Sequence, residues 1–321
     1  MNGEFGMICI TNCTYPTGVC QEGSRRKSDF RFSLTSTCKA STIEGEFFVA
    51  GDFILLFDLH VHSTVSFDGH NSRREMALAA RDRGIQTICF TDHYDVVNEK
   101  NEYVPVYDWM PARREHAEAK TALGGSLELL YGLELGNAPA DCSAAAAALN
   151  EPGLDFVLGS IHNASKALGW QDYYYVNFES PERCYAYLDD YFDQEEQLVQ
   201  WGNFDSLAHL PYPLRYMSGR DGQPVTLKRY EERICELLRK LVQGGKALEV
   251  NTGKNIRIMP EYGWLLERYA DLGGELVTVG CDAHRVEDVG VGLEQAYDLL
   301  KSKGYRYVTV FRGRRPCPTK L

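Results

Sequence analysis

The chain alternates short apolar runs with longer stretches of helical periodicity, and this alternation restricts its fold more than any other feature. The short runs indicate buried strands and the longer stretches indicate helices. Strands that alternate with helices form parallel β-α units, and seven or eight such units favour a closed TIM-like (β/α) barrel over an open sheet. The predicted strands are Phe53–Leu59, Gln86–Thr91, Leu127–Leu135, Phe156–Ser160, Phe204–Ala208, Ala247–Asn251, Leu276–Gly280 and Tyr305–Phe311.

The intervening stretches supply the expected helices, and glycines close three of them. Gly84, Gly244 and Gly273 each follow a helical stretch, the position where glycine commonly ends a helix. The predicted helices include Arg73–Arg83, Pro111–Leu123, Pro181–Trp201, Leu227–Gln243 and Glu261–Leu272. Residues 1–52 differ, because they are rich in Ser, Thr, Gly and Cys and show no sustained period. We predict an unstructured or weakly ordered extension over 1–52 and one α/β domain over 53–321.

Charge and cysteine usage limit the partners and the compartment. The net charge of −11, without a clustered basic stripe, argues against nucleic-acid binding. No apolar run approaches the roughly 20 residues of a membrane helix. The ten cysteines lack the paired spacing of a zinc ribbon or a disulfide frame. Their pattern is typical of free thiols in a reducing cytosol, and we expect a cytoplasmic protein.

Six of the eight histidines fall at the carboxyl ends of predicted strands or just beyond them. In a β/α barrel these ends meet on one face, where barrel enzymes carry their chemistry. One such histidine could be an ordinary hydrogen-bonded loop residue, but the whole set indicates a metal site. The candidate ligands are His60, His62, Asp68, His93, Glu134, His162, His209, Asp282 and His284. Of the other histidines, His70 lies in a loop and could line the pocket, and His116 should lie on a solvated helix face.

The nine candidate groups exceed the needs of one ion, since a catalytic zinc uses three protein ligands. They suit two or three divalent metals with a bridging carboxylate. Mixed imidazole and carboxylate ligands favour zinc, manganese or iron over magnesium or calcium. Cys281 lies beside Asp282 but should point away from the ligands if the strand stays regular.

In order along the chain, these motifs resemble the PHP (polymerase and histidinol phosphatase) superfamily. They are the His60-Val61-His62 pair, Thr91-Asp92-His93, Glu134, Ser160-Ile161-His162, Ala208-His209 and Asp282-Ala283-His284. The resemblance runs from about Phe57 to Pro316 and implies a distorted seven-stranded barrel with a trinuclear metal site. The segment from Asp205 to Pro211 and the ending from Gly304 to Arg312 resemble the PHP-type histidinol-phosphatase branch. Cys281 is a departure, because this family usually has serine there.

The resemblance implies how the metals would be shared. The first would be held by His60, His62, Glu134 and Asp282. The second would use Glu134, His162 and His209, which makes Glu134 the bridge. The third would be held by Asp68, His93 and His284. A hydroxide that bridges two metals would attack phosphorus and release histidinol from L-histidinol phosphate, a small-molecule phosphate ester, in histidine biosynthesis.

Other roles follow from what a phosphomonoester needs. Asp282 or His284 could give a proton to the leaving oxygen, although both are also ligand candidates. Arg215 and Arg257 are the candidate phosphate-binding residues, because guanidinium groups bind phosphate bidentately. The segment Tyr173-Tyr174-Tyr175 could stack against an imidazole. Two alternatives stay open: a PHP phosphoesterase acting on nucleotides or nucleic-acid ends, and a metal-binding PHP module without catalysis. The oligomeric state is left open.

Overall fold

The computed structural model describes residues 55–253 and 259–321. The predicted extension over 1–52 lies outside the described residues, and so does Arg257. Ten strands are described: β1 Leu56–Val61, β2 Ile85–Phe90, β3 His93–Asp95, β4 Glu128–Gly136, β5 Phe156–Ser160, β6 Ser206–Leu207, β7 Ala247–Asn251, β8 Val277–Gly280, β9 Tyr307–Arg312 and β10 Arg315–Lys320. The α-helices are α1 Arg73–Asp82, α2 Met110–Leu123, α3 Cys142–Ala148, α4 Pro181–Trp201, α5 Glu231–Gln243, α6 Met259–Asp271 and α7 Leu293–Ser302.

The main sheet is parallel throughout and curls into a nearly closed barrel. Its strands follow the order β1-β2-β4-β5-β6-β7-β8, and the short β3 pairs with β4 beside this path. At the seam, Val61 bridges Ala283. There the backbone N–H of Asp282 donates to the carbonyl of His60 at 2.7 Å. The predicted α/β fold, a distorted seven-stranded TIM-like barrel, is confirmed.

The last predicted strand does not join the barrel. The segment Tyr305–Phe311 forms a strand as β9, but β9 pairs antiparallel with β10, in a two-stranded sheet of its own. Of the seven or eight strands expected in the barrel, seven therefore form its path, since an apolar run shows that a strand is buried but not which strand it pairs with. The strand predicted at Phe204–Ala208 is also shorter, with only Ser206 and Leu207 in the ladder.

Local signals explain where several helices begin and end. Ser72 and Glu75 form a reciprocal capping box at the start of α1. Ser180 caps α4, and Gly202 ends it in the left-handed region at φ 67°. The stretch predicted as one helix from Leu227 is a 3₁₀ turn followed by α5. No helix among the described residues is long and apolar enough to cross a membrane.

Two strand glycines allow neighbouring elements to approach closely at the carboxyl end of the barrel. A Cβ added to Gly280 would lie 2.2 Å from the Cβ of His60. A Cβ added to Gly136 would lie 1.7 Å from Oδ1 of Asp95. Both contacts are far shorter than van der Waals distance, so any larger residue would displace these side chains. The glycines therefore fix how near His60 and Asp95 lie to the adjacent strands.

Candidate metal centre

The barrel brings all nine predicted ligands together at its carboxyl end. Seven of them line a cavity of about 470 Å³, and His60 and His62 lie fully buried beside those seven. The cavity also includes Phe67, His70, Asp95, Asp172, Tyr174, Tyr175, Tyr212, Arg215, Tyr216 and Arg285. His70, whose position the sequence left open, thus lines the cavity. His116 lies elsewhere, packed on the Tyr131 ring at 4.9 Å, and is half-buried, so its predicted solvated position is wrong.

His60 and His62 aim their Nε2 atoms at each other across 3.0 Å. The Nδ1 atom of His60 lies 2.7 Å from a carboxylate oxygen of Glu249. The Nδ1 atom of His62 lies 3.1 Å from the hydroxyl of Ser66, which itself donates to Asp92. These partners accept a proton from each Nδ1 atom, so the Nε2 atoms are the ones that both rings direct at the centre. A metal ion between such atoms would resolve the contact, and the other ring nitrogens are held as in metal-ligating histidines.

Glu134 connects this pair to a second group of histidines. One carboxylate oxygen of Glu134 lies 3.1 Å from Nε2 of His162 and 2.8 Å from Nε2 of His209. Its other oxygen lies 3.2 Å from Nε2 of His60. The Nδ1 atom of His162 lies 2.7 Å from Asp95, so its Nε2 atom is the one directed at Glu134. Glu134 therefore has the position of a bridging carboxylate.

The third group lies nearer the cavity mouth. Nε2 of His284 lies 3.0 Å from Asp68, and Nδ1 of His93 lies 3.1 Å from Glu134. Despite these short distances, Asp68 Oδ1, His93 Nδ1, Glu134 Oε2 and His284 Nε2 are buried and make no hydrogen bond within the described residues. Buried polar atoms without hydrogen bonds are costly. Their convergence fits ligands for cations.

Four triads in the described residues have ligand atoms close enough to share one ion. They are His60-His62-Asp282, His60-Glu134-His209, His62-His93-His284 and His93-Asp95-His162. The first triad lies within one predicted ligand set, whereas the second joins His60 and His209 from two sets through Glu134, which both sets share. The other two differ from the predicted partition, because His62 lies beside His93 and His284, and Asp95 joins His162. The assignment of ligands to individual ions stays a prediction.

The electrostatics of this cluster favour added positive charge. Burial alone would lower the pKa of His60, but Glu249, Glu134 and Asp282 together raise that pKa well above its ordinary value. Burial would raise the pKa of Glu134, and the surrounding histidines instead hold it well below the ordinary range. Burial and the neighbouring His284 and His93 lower the pKa of His62 to about 4. Buried carboxylates that stay ionised need cationic partners, and divalent metals would supply that charge.

Arg215 lies beside the centre but is already engaged. Its guanidinium donates to Asp282 at 2.9 Å and to the side chain of Asn251 at 2.6 Å. It therefore orients a candidate ligand while still lining the cavity. Arg285, which the sequence reasoning missed, also lines the cavity and contacts His70 at 2.9 Å. Arg257 cannot be placed because it lies outside the described residues.

Sequence reasoning also missed the residues that orient the ligands. Glu249 and Asn251 alternate on β7 and are both fully buried, a pattern that points two polar side chains into the barrel. Asp95 follows His93 by two residues on β3 and so shares its face. Polar residues at alternate positions of a buried strand are the sequence signal that could have identified these orienting residues. Cys281 behaves as predicted, because its sulfur accepts the N–H of Gly290 at 3.2 Å, away from the ligands.

The tyrosine run divides between core and cavity. Tyr173 is completely buried in the core, whereas Tyr174 and Tyr175 are 56% and 66% exposed at the cavity rim. Only the latter two could stack on a bound ring. With Tyr212 and Tyr216 they form an aromatic wall of the cavity. In this wall, the Tyr212 ring lies 5.4 Å from the guanidinium of Arg215 and packs on His209 at 4.8 Å.

A parallel β/α barrel with histidines and carboxylates clustered at its strand ends defines a metal-binding barrel enzyme. The match to the PHP domain family covers residues 58–253, most of the chain. The chain belongs to this family, as predicted.

The similarity to individual relatives covers nearly the whole length of each relative. A probable histidinol-phosphatase of Thermotoga maritima is 30% identical over 269 residues, covering 83% of this chain and 100% of the relative. A histidinol-phosphatase of Lactococcus lactis is 28% identical over 269 residues, covering 80% and 95%. The crystal structure of histidinol phosphate phosphatase from Lactococcus lactis, complexed with zinc, L-histidinol and phosphate, superposes with a TM-score of 0.71 at 25% identity, covering 82% of this chain and 98% of that one.

Proposed function

We propose that this chain is a metal-dependent histidinol-phosphatase, which hydrolyses L-histidinol phosphate to L-histidinol and phosphate. The observation that carries the proposal is one cavity that is lined by both a histidine–carboxylate cluster and an aromatic wall. The cluster suits a phosphate ester, and the wall suits an imidazole. The names of the relatives from Thermotoga maritima and Lactococcus lactis support the same activity. The structure from Lactococcus lactis supports a small-molecule substrate.

We propose that His60, His62, Asp68, His93, Glu134, His162, His209, Asp282 and His284 hold two or three divalent ions. The zinc in the related structure supports zinc, and the ligand types also suit manganese or iron. When bound, such ions lower the pKa of water and neutralise charge on phosphoryl oxygens.

The side chains around the ligands perform the remaining tasks. The Nδ1–H groups of three ligand histidines donate hydrogen bonds to Glu249, Ser66 and Asp95. These bonds fix the orientation of the histidine rings. Arg215 lies at the cavity wall, where its guanidinium can contact phosphate while it orients Asp282.

Two groups could protonate the leaving oxygen, Asp282 and His284. Burial lowers the pKa of His284, whereas the carboxylates of Asp68 and Asp282 raise it. The net result is a pKa above the ordinary value. The side chain of His284 is 22% exposed, whereas that of Asp282 is 7% exposed. His284 therefore has the better access to substrate.

We also place the enzyme in the cytoplasm. Cys89, Cys184 and Cys281 are buried free thiols in the described structure, as expected for a protein made in a reducing compartment. The acidic net charge of −11 is unsuited to nucleic-acid substrates.

The test is phosphate release by the purified protein after loading with zinc or manganese. We expect kcat/KM for L-histidinol phosphate to exceed that for nucleoside monophosphates by at least about 100-fold. His60→Ala should lose both bound metal and activity, whereas His116→Ala, outside the cavity, should keep both. No phosphate release from protein with bound metal, or preference for nucleotides, would overturn the proposal.

A further inference from the structure

Arg73, at the start of α1, and Asp92, just after β2, form an ion pair that is completely buried. Both residues are 0% exposed, and the guanidinium donates to one carboxylate oxygen through Nε at 3.0 Å and Nη2 at 2.7 Å. The rings of Phe90 and Tyr131 lie 5.3 and 5.5 Å from the guanidinium. Withdrawing two charges from water costs about as much free energy as their pairing returns, so the pair adds little net stability. The other contacts of the Asp92 carboxylate indicate a different role.

Asp92 also accepts hydrogen bonds from the loop that follows β1. Its donors there are the backbone N–H of Ser63 at 2.6 Å, the hydroxyl of Ser63 at 2.9 Å and the hydroxyl of Ser66 at 2.9 Å. A carboxylate paired with a guanidinium has no proton of its own to donate. The single proton of the Ser66 hydroxyl is therefore directed at Asp92.

Because the Ser66 hydroxyl donates to Asp92, its oxygen can only accept from its other neighbours. These are the backbone N–H of His93 and the Nδ1 atom of His62, each at 3.1 Å. His62 then carries a proton on Nδ1, and Nε2 is the ring nitrogen left for a metal. That Nε2 atom lies 3.2 Å from Asp282, inside the candidate metal centre. A ligating imidazole needs this arrangement, since one nitrogen binds the ion while the other keeps its proton.

We propose that Asp92, paired with Arg73, is a positioning residue that acts through Ser66 to hold the ring proton of His62 on Nδ1. Arg73 keeps Asp92 an acceptor, Asp92 directs the proton of Ser66, and the oxygen of Ser66 accepts that of His62. Without this chain of hydrogen bonds the ring can place its proton on either nitrogen, and metal binding at Nε2 becomes weaker. The inference rests on the proposed function only through the role of His62 as a metal ligand, and it does not depend on the substrate.

The first experiment measures the zinc affinity of the whole chain by competition with a chelator. Ser66→Ala removes the link and keeps the ion pair, whereas Asp92→Asn keeps the size of the side chain and supplies an amide that can donate to Ser66. Each should weaken zinc binding about 10- to 100-fold. The double variant should bind zinc within about threefold of the weaker single variant, because both changes break the same chain of hydrogen bonds. The exposed Ser143 provides the control Ser143→Ala, which should bind zinc as wild type does.

A variant without either charge guards against loss of folding. Asp92→Asn leaves the guanidinium of Arg73 buried without its anion, which is strongly destabilising, whereas removal of both partners of a buried ion pair is tolerated. The double variant Arg73→Met/Asp92→Asn should therefore fold and show the same loss of zinc affinity as Asp92→Asn. Zinc affinity equal to that of wild type in this variant would overturn the inference.

The second experiment reads the position of the ring proton, which a merely structural role would not move. Long-range ¹H–¹⁵N NMR of the metal-free protein at pH 8, well above the pKa of about 4 of the His62 ring, reports its tautomer. The His62 signals are assigned by their absence in His62→Asn. We expect a protonated Nδ1 in wild type and a mixture of both tautomers in Ser66→Ala and in Asp92→Asn.

An unchanged tautomer in both variants, or losses of zinc affinity that multiply in the double variant of Ser66 and Asp92, would overturn the inference. Neither measurement uses phosphate release. If the protein binds zinc but does not hydrolyse L-histidinol phosphate, the proposed function fails while the role of Asp92 stands on these two readouts. If hydrolysis is found and the tautomer does not change in the variants, only the role of Asp92 fails.

Discussion

Two glutamates are equally buried in this protein and have opposite surroundings. Glu134, on β4, and Glu195, on α4, are both 0% exposed. Glu134 lies within 3.2 Å of nitrogens from His60, His93, His162 and His209. Glu195 has no ion-pair partner in the described part of the chain, and its neighbour Tyr191 donates to the carbonyl of Leu210.

The difference decides which glutamate is charged. Burial would raise the pKa of Glu134, but the histidines around it hold that pKa well below its ordinary value. Burial raises the pKa of Glu195 to about 8, and Tyr191 and His162 offset this only in part. Depth in the fold is thus a poor guide to charge. The positive groups that the strands bring alongside are what keep a buried carboxylate ionised and able to bind metal.

The largest effect should come from Glu134→Gln, which removes the charge of the proposed bridging carboxylate and keeps its shape. We expect loss of bound metal and a drop in kcat on the order of 1000-fold, because four histidines would lose their shared anion. Metal analysis and phosphate-release kinetics on the same sample measure both. Full metal content in the variant would show that Glu134 is not a ligand.

Glu195→Gln should instead change the pH dependence of stability. The pKa of Glu195 in the folded protein, about 8, exceeds the ordinary 4.5, so the folded state holds this proton more tightly than the unfolded state. The stabilisation from Glu195 is complete below about pH 4.5 and is lost as pH rises to about 8. At pH 8.5 the variant should be more stable than wild type by roughly 2 to 4 kcal/mol.

Urea unfolding of the two proteins at pH 5 and pH 8.5 measures this difference. Glu118→Gln, on the exposed face of α2, is the matched control and should change stability by less than about 0.5 kcal/mol at either pH. Parallel pH profiles for wild type and Glu195→Gln would mean that Glu195 is ionised in the folded protein at neutral pH.

Glu249→Gln should give the smallest of these effects. Glu249 contacts Nδ1 of His60 at 2.7 Å and accepts the backbone N–H of His209 at 2.8 Å, so it acts on the metal through other residues. The variant should bind metal about 10- to 100-fold more weakly and keep the fold. Competition with a chelator measures the affinity. An affinity equal to that of wild type would show that the charge of Glu249 does not contribute to metal binding.

The sequence predicted the parts of the fold and site that depend on position along a single strand. Alternating residues locate His60 and His62 on one face, and a strand end locates Glu134. The contacts of Glu249 and Asp95 depend instead on the register between strands that are far apart in sequence. Which strand β9 would pair with also lay beyond a local pattern.

The tyrosine run illustrates the same limit on a smaller scale. Three identical residues carry no periodic signal, so their division between core and cavity follows from the loop hydrogen bonds that fix Asp172 and Tyr173. Similarly, Asp282 adopts a left-handed backbone at φ 54°, which no strand pattern indicates.

The close approaches at Gly136 and Gly280 have a consequence for how such a barrel can diversify. A methyl group at either position would displace Asp95 or His60, so strand residues beside the metals have almost no freedom to vary. The loop that carries Asp172, Tyr174 and Tyr175 has no such steric constraint at its exposed rings. A related enzyme could therefore accept a different leaving group through a few substitutions in this loop, with the residues of the metal centre unchanged.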